Sequence, residues 1–210
     1  MKNKFSIFLV LFASGCTSFG QYYDLYNLNS DESIDLYSLR ELPYASILIN
    51  DNYYMYLNSI TSSGYMWKSN EKYLMTSYGK IIQSEGFKNN KNLSLNQNLE
   101  NIFFNFCKYT TNTSPVKLTG FIHFDNPRSG YLEYESILKP IKFETLNSKL
   151  NNSLKETILI EEAVNISKIG FSRLNYYWLN LERCQVMKSV QFIDPLDNSL
   201  IIHTYKYPKK

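Results

Sequence analysis

The chain has 210 residues and a formal net charge of +3, and 44% of its residues are hydrophobic. This length suits one domain with a sizeable core. A charge so close to zero supplies no basic stripe, so we exclude a nucleic-acid-binding protein. After the first apolar run, no segment approaches the roughly 20 apolar residues that a membrane-spanning helix requires.

The beginning of the chain has the three-part layout of a secretory signal. Two lysines form a basic start, an apolar run covers 5–12, and the small residues 13–15 lead directly into Cys16. The Ala-Ser-Gly-Cys sequence resembles the lipobox of bacterial lipoproteins, in which the cysteine sulfur receives a diacylglyceryl group and the chain is cut before the cysteine. We therefore predict a signal peptide over 1–15 and a lipidated Cys16, rather than a plain secreted protein or a core cysteine.

The residue after the cysteine bears on location. Thr17 stands where enterobacterial lipoproteins retained in the inner membrane have aspartate, so the resemblance implies the outer membrane, with the domain facing the periplasm. Each buried methylene contributes about 0.8 kcal/mol, so two or three acyl chains attach a protein firmly. We expect 16–29 to be a tether and 30–210 to be one β-rich domain. Loss of Lys2 and Lys4 with the leader lowers the net charge from +3 to +1.

The stretch that follows the tether predicts one or two short helices near the N-terminus. Ser30 or Asp31 can cap a helix, and Pro43 ends it. Farther along, the Asn-rich stretch 88–116 is predicted to be a loop that holds at most one helical turn.

From Tyr44 onward, short runs of β-branched and aromatic residues alternate with turn signals, which is typical of an antiparallel meander. The sequence therefore predicts a mainly β fold, a single domain of curled antiparallel sheets. The predicted strand regions are 44–50, 53–60, 65–70, 72–78, 80–86, 116–124, 129–139, 141–147, 153–166, 173–193 and 199–207.

Two cysteines remain after Cys16. Cys107 and Cys184 would lie in an oxidising compartment, where a disulfide can persist. A bridge that closes so long a loop could contribute about 4 kcal/mol in the chain-entropy model. Their positions are equally compatible with two buried free thiols, so both alternatives stay open. Neither cysteine has the spacing of a redox or metal motif.

Few residues are candidates for catalysis. His123 and His203 each stand alone in a strand-like run, whereas a metal site needs three or four converging ligands. Glu133 and Glu135 have the approximate separation of an inverting glycosidase pair, but neighbours on one strand face point the same way and do not lie across a cleft. We predict no catalytic residue, no metal and no cofactor.

The two tryptophans have two interpretations. Trp67 and Trp178 could stack on the apolar faces of sugar rings, or they could belong to the core, as tryptophans in β domains commonly do. The core interpretation is favoured, and sugar stacking is kept as the alternative.

Several segments together carry a resemblance to one family. The chain resembles the YjbF/GfcB family of group 4 capsule polysaccharide lipoproteins in five segments, which occur in the same order as in that family. They are Leu42-Pro43-Tyr44-Ala45-Ser46, the strand with Trp67, the Tyr78-Gly79-Lys80 turn, Tyr177-Trp178 and Ser189-Val190-Gln191. The resemblance extends from the lipobox almost to the C-terminus and is weakest over 88–116. One departure lies at Glu182 to Cys184, where the family usually has a glycine in the turn.

The resemblance implies a non-enzymatic outer-membrane lipoprotein that works in assembly or export of a capsule or other extracellular polysaccharide. It also implies two associates, an outer-membrane β-barrel protein and a soluble periplasmic capsule protein. The polysaccharide itself is a further candidate partner, and direct binding of the polymer is left open. Two other classes are weighed against it. One is a glycan-processing enzyme that uses Glu133 and Glu135, and the other is a lipid or lipoprotein carrier with a hollow interior. We expect a filled core, because bulky side chains alternate along most strands.

Overall fold

The computed structural model describes residues 43–51, 53–108, 113–126, 128–148, 153–196 and 199–208. The predicted signal peptide, Cys16, the tether and the predicted N-terminal helix lie outside these residues. Within them, no helix is long and apolar enough to cross a membrane.

Antiparallel strands make up most of the described chain, as the sequence predicts. They are β1 (Ser46–Ile49), β2 (Tyr53–Thr61), β3 (Gly64–Ser69), β4 (Lys72–Ser77), β5 (Lys80–Glu85), β6 (Lys91–Leu95), β7 (Val116–Phe124), β8 (Leu132–Asn147), β9 (Leu154–Ile166), β10 (Phe171–Asn180), β11 (Gln185–Gln191) and β12 (Leu200–Lys206). An α-helix, α1 (Leu99–Lys108), lies between β6 and β7, and a 3-10 turn (Ser167–Ile169) lies between β9 and β10.

The strands form one closed barrel. Each strand pairs with its neighbours along the chain, and β12 pairs with β1 to complete the ring. The closing register aligns Ile47 with Thr204 and Ile49 with Ile202. The prediction of a mainly β domain of curled antiparallel sheet is therefore confirmed, with full closure as the added feature.

The described helix is not where the sequence predicted a helix. It lies in the middle of the chain, inside the stretch 88–116 that was predicted to be a loop with at most one helical turn, and β6 was also missed there. The helical signal is nevertheless present: Leu99, Phe103 and Phe106 are buried and follow the helical repeat. The Asn98 side chain accepts a hydrogen bond from the backbone N–H of Asn101 at 3.3 Å and caps the helix. The high Asn content concealed this pattern.

Strand β8 is longer than expected. The sequence suggested two runs separated at Pro140, but the strand continues to Asn147. Its register with β9 shifts between Pro140 and Lys142, and a bulge of this kind tolerates a proline because no ladder hydrogen bond is required there.

The interior of the barrel is filled by three apolar clusters. In the largest, Phe103 and Phe106 of α1 pack against inward side chains such as Tyr177 and Leu179, so the helix closes one mouth of the barrel. Phe171 and Phe192, with ring centres 4.8 Å apart, belong to a second cluster around β7–β9. The expectation of a filled core therefore agrees with the packing.

Candidate functional site

A buried ion pair crosses the interior of the barrel. Lys80 is the first residue of β5 and Glu162 lies on β9, and the Lys80 Nζ is 2.7 Å from both carboxylate oxygens. The two side chains are 2% and 0% exposed. Removing such charges from water costs several kcal/mol for each ion unless hydrogen bonds compensate. The surroundings of Glu162 supply that compensation.

A tight turn directs Lys80 inward. Tyr78 and Gly79 connect β4 to β5 and both have positive φ, 47° and 79°, as a type I′ hairpin turn requires. A Cβ at Gly79 would lie 2.4 Å from the Cβ of Val186, so glycine is required by space as well as by conformation. The Nε2 of Gln191 donates to the carbonyl oxygen of Gly79 at 2.6 Å and holds the turn against β11.

Four further side chains donate hydrogen bonds to Glu162. Tyr134 (2.7 Å) and Ser136 (2.6 Å) on β8 donate to Oε1. Asn175 (2.9 Å) and Tyr177 (2.6 Å) on β10 donate to Oε2. Because β8 and β10 flank β9, inward residues at alternate positions converge on the carboxylate from both sides. Each oxygen thus accepts three hydrogen bonds, counting the one from Lys80.

These contacts keep Glu162 ionised. Burial by itself raises the pKa of Glu162, but Lys80, Asn175 and Ser136 outweigh burial and lower the pKa to about 2. Burial and the Glu162 charge raise the pKa of Tyr134 well above its usual value, so this hydroxyl remains a neutral donor. Since the pKa of Glu162 is lower in the folded chain than in the unfolded chain, its stabilisation is present above pH ~4.5 and is lost as the pH falls towards ~2.

A second buried lysine lies inside the barrel. Lys91 on β6 is buried, and its Nζ donates to the carbonyl oxygen of Phe192 at 2.8 Å. Burial and, to a smaller extent, the nearby charge of Lys80 lower the pKa of Lys91 to about 7, against the opposing effects of Glu162 and Asp194. Lys91 therefore titrates near neutral pH.

The network of Lys80 and Glu162 is sealed from solvent, so its chemistry is structural. A substrate could not reach the carboxylate, and every polar atom of the ion pair is already partnered. This ion pair was not predicted from the sequence. A signal was available, because Glu162 falls in the inward phase of Ile158, Ile160 and Val164, where a carboxylate is unexpected.

The carboxylates predicted as the candidate enzyme pair lie outside the barrel. Glu133 and Glu135 are exposed on β8, and Glu135 Oε1 is 2.7 Å from the Nζ of Lys117. The outer face of a strand offers no opposing residue across a cleft.

The two histidines each lie near a carboxylate. The Nε2 of His123, for example, is 3.3 Å from the Oδ1 of Asp125. Among the described residues, no three potential metal ligands converge.

The tryptophans take different environments. Trp67 is 3% exposed, and its Nε1 donates to Thr76 Oγ1 at 2.8 Å, so a sugar on the outer surface could not stack on it. Trp178 is partly buried, and its Nε1 donates to Glu144. The Nζ of Lys188 lies 4.8 Å from its ring centre, which occupies one face with a cation. Both environments favour structural roles.

The structure brings Cys107 and Cys184 together. Their sulfur atoms lie 2.02 Å apart in a disulfide that connects α1 to the loop between β10 and β11. Cys184 has a φ of 52°, the left-handed region that favours glycine. Cys184 thus lies in the turn between β10 and β11, and its crosslink fastens α1 to that turn.

The barrel wall opens between β5 and β6. These strands pair at one position, Gln83 with Asn92, whereas β6 and β7 pair along the length of β6. A cleft of about 600 Å³ lies along the opening and extends to the start of α1. By contrast, the residual cavity near Trp67 and Phe103 is about 40 Å³, and ligand sites commonly occupy roughly 300–1,000 Å³.

Fold and site together define a closed antiparallel barrel plugged by a helix and organised around a sealed ion pair, with an open polar cleft in its wall. The chain belongs to the YjbF family, described as group 4 capsule polysaccharide lipoprotein GfcB, YjbF, whose sequence profile matches residues 9–204. The chain is also similar to the crystal structure of the hypothetical lipoprotein YmcC from Escherichia coli K12. The TM-score is 0.69 at 17% identity, over 92% of this chain and 96% of that one, which shows a shared fold. No curated protein sequence matches the chain.

Proposed function

We propose that this protein is an outer-membrane lipoprotein that acts without catalysis in the assembly or export of an extracellular polysaccharide. The observation that carries the proposal is the family match, which begins at residue 9, within the predicted leader, and ends at residue 204 in β12. In this proposal, residues 1–15 are removed, Cys16 carries the lipid, 16–29 form the tether and 30–210 form the barrel domain, facing the periplasm.

The packing of the barrel supports a docking or binding role over the two alternatives. A lipid carrier needs an apolar cavity, whereas the three apolar clusters fill the interior formed by the described residues and the cavity beside Trp67 and Phe103 is about 40 Å³. A glycan hydrolase needs two carboxylates across a substrate cleft, and Glu133 and Glu135 lie together on the outer face of β8. The proposed associates are an outer-membrane β-barrel protein and a soluble periplasmic capsule protein.

A clean deletion tests the proposal. We expect loss of surface and secreted polysaccharide, and recovery when the wild-type chain is supplied from a plasmid. A Glu133→Gln/Glu135→Gln variant should restore export as well as the wild type does, because the proposed role needs no acid catalyst. Normal polymer in the deletion strain, with no second copy of the gene, would overturn the proposal.

A further inference from the structure

The cleft exists because the sheet is interrupted at one place. Between the Gln83–Asn92 pair and the start of α1, the facing sides of β5 and β6 have no described strand partner. The backbone N–H of Ile81 instead donates to the side chain of Gln191, at 2.9 Å, inside the barrel. This backbone donor of β5 is thus satisfied from inside the barrel and not by β6.

Side chains at this opening are polar and available. Gln83, Asn92 and Ser94 are exposed, line the cleft, and make no side-chain hydrogen bond to another described residue. Ser77 lines it from β4. Such carboxamides and hydroxyls both donate and accept hydrogen bonds. They match a ligand whose surface consists of hydroxyl or acetamido groups.

The charge and aromatic content of the cleft narrow the ligand class. No lysine or arginine occurs among its described lining residues, and the charged side chain there is Glu100. Tyr78 also lines the cleft, and burial together with the neighbouring Glu100 carboxylate raises the pKa of its hydroxyl. A phenol ring offers an apolar face beside the polar groups, as many ligand sites do. An acidic polymer would meet a like charge here without a compensating cation.

We infer that the β5–β6 cleft binds an uncharged segment of a carbohydrate chain through Gln83, Asn92 and Ser94. The volume of about 600 Å³ is sufficient for a few sugar rings. This inference rests on the proposed function for the identity of the polymer. A peptide strand added to the open edges is the competing occupant, but strand addition relies on pockets for alternate side chains, whereas this cleft presents exposed amides and hydroxyls.

Calorimetric titration of the full chain in detergent tests the inference. The probes are short fragments of the cell's own extracellular polysaccharide, used before and after removal of acidic fragments, and a ten-residue Ser/Thr-rich peptide. We expect saturable binding of the neutral fragments and at least tenfold weaker binding by the Gln83→Ala/Asn92→Ala variant. A Ser94→Trp variant, which fills the cleft, should also lose binding. The control is Asn58→Ala/Asn165→Ala, which removes two exposed amides elsewhere on the barrel.

Each result decides between alternatives. Equal affinity in the cleft variants and the control would overturn the location, and binding of the peptide or of acidic fragments alone would overturn the ligand class. If no probe binds but gene deletion abolishes export, the cleft inference fails and the proposed function stands. If neutral fragments bind at the cleft but deletion leaves export normal, the proposed function fails and the cleft inference stands.

Discussion

The Nζ of Lys80 and the carboxylate of Glu162 are 82 positions apart in sequence and 2.7 Å apart inside the barrel. Lys80 enters from the β4–β5 turn, and Glu162 comes from the wall opposite. The pair therefore connects β5 to β9 across the interior of the closed barrel.

Breaking this pair should be costly and non-additive. Glu162→Gln leaves Lys80 buried without a counter-charge, and loss of one partner of a buried pair typically costs about 3–5 kcal/mol in the free energy of unfolding. The Lys80→Met/Glu162→Gln double variant should be less destabilised than the sum of the two single variants, by at least about 1 kcal/mol. Urea unfolding of all four proteins measures this coupling. Additive losses would mean that the two charges do not interact.

Lys91 should make stability depend on pH around neutrality. Its pKa is about 7 in the folded chain against 10.5 ordinarily, so the unfolded chain binds more protons between these values. The free energy of unfolding should therefore rise with pH in this range, by up to about 1.4 kcal/mol per pH unit from this residue.

Lys91→Met removes this contribution. Urea unfolding at pH 7, 8 and 9 should give a wild-type curve that rises more steeply than that of the variant. The exposed Lys117→Met variant should keep the wild-type slope and serves as the control. Parallel curves for wild type and Lys91→Met would show that Lys91 titrates normally.

Loss of the disulfide should destabilise the domain. Cys107→Ser/Cys184→Ser should lower the free energy of unfolding by about 4 kcal/mol, the chain-entropy value for a long loop. Cys107→Ser/Cys184→Gly should recover about 1 kcal/mol, because glycine adopts the left-handed conformation of residue 184 at lower cost. Thermal unfolding of the oxidised wild type and of both variants checks this order of stability: wild type, then the Ser/Gly variant, then the Ser/Ser variant. Equal stability of the two variants would contradict the conformational argument, and a free-thiol titration that finds both cysteines in the wild type would contradict the bridge.

Cys16→Ser tests the anchor. Without the sulfur nucleophile, no diacylglyceryl group can be attached, so labelled fatty acid should enter the wild type and not the variant. The variant should accumulate as precursor or fail to reach the outer membrane. A Ser14→Ala variant keeps the cysteine and should label normally. Labelling of Cys16→Ser, together with fractionation to the outer membrane, would refute both lipidation and location.

Much of the strand pattern was readable from local sequence. The alternation in 116–124 predicted β7 with the bounds that the structure has, and Tyr78-Gly79 predicted the hairpin turn that joins β4 and β5. Such features depend on the conformational preferences of a few adjacent residues and on period-two burial. The prediction for 88–116 was wrong because its many asparagines suggested a loop. The apolar residues that form the buried face of α1 are interspersed among those asparagines.

By itself, the sequence determined the fold class and the family, because both depend on patterns within contiguous residues. Tertiary structure decided that β1 pairs with β12, that Lys80 meets Glu162, and that the wall stays open between β5 and β6. These outcomes depend on which distant residues become neighbours once the sheet closes. Local preference specifies that a strand forms and which face is apolar, but the choice of partner follows from the joint packing of the whole barrel.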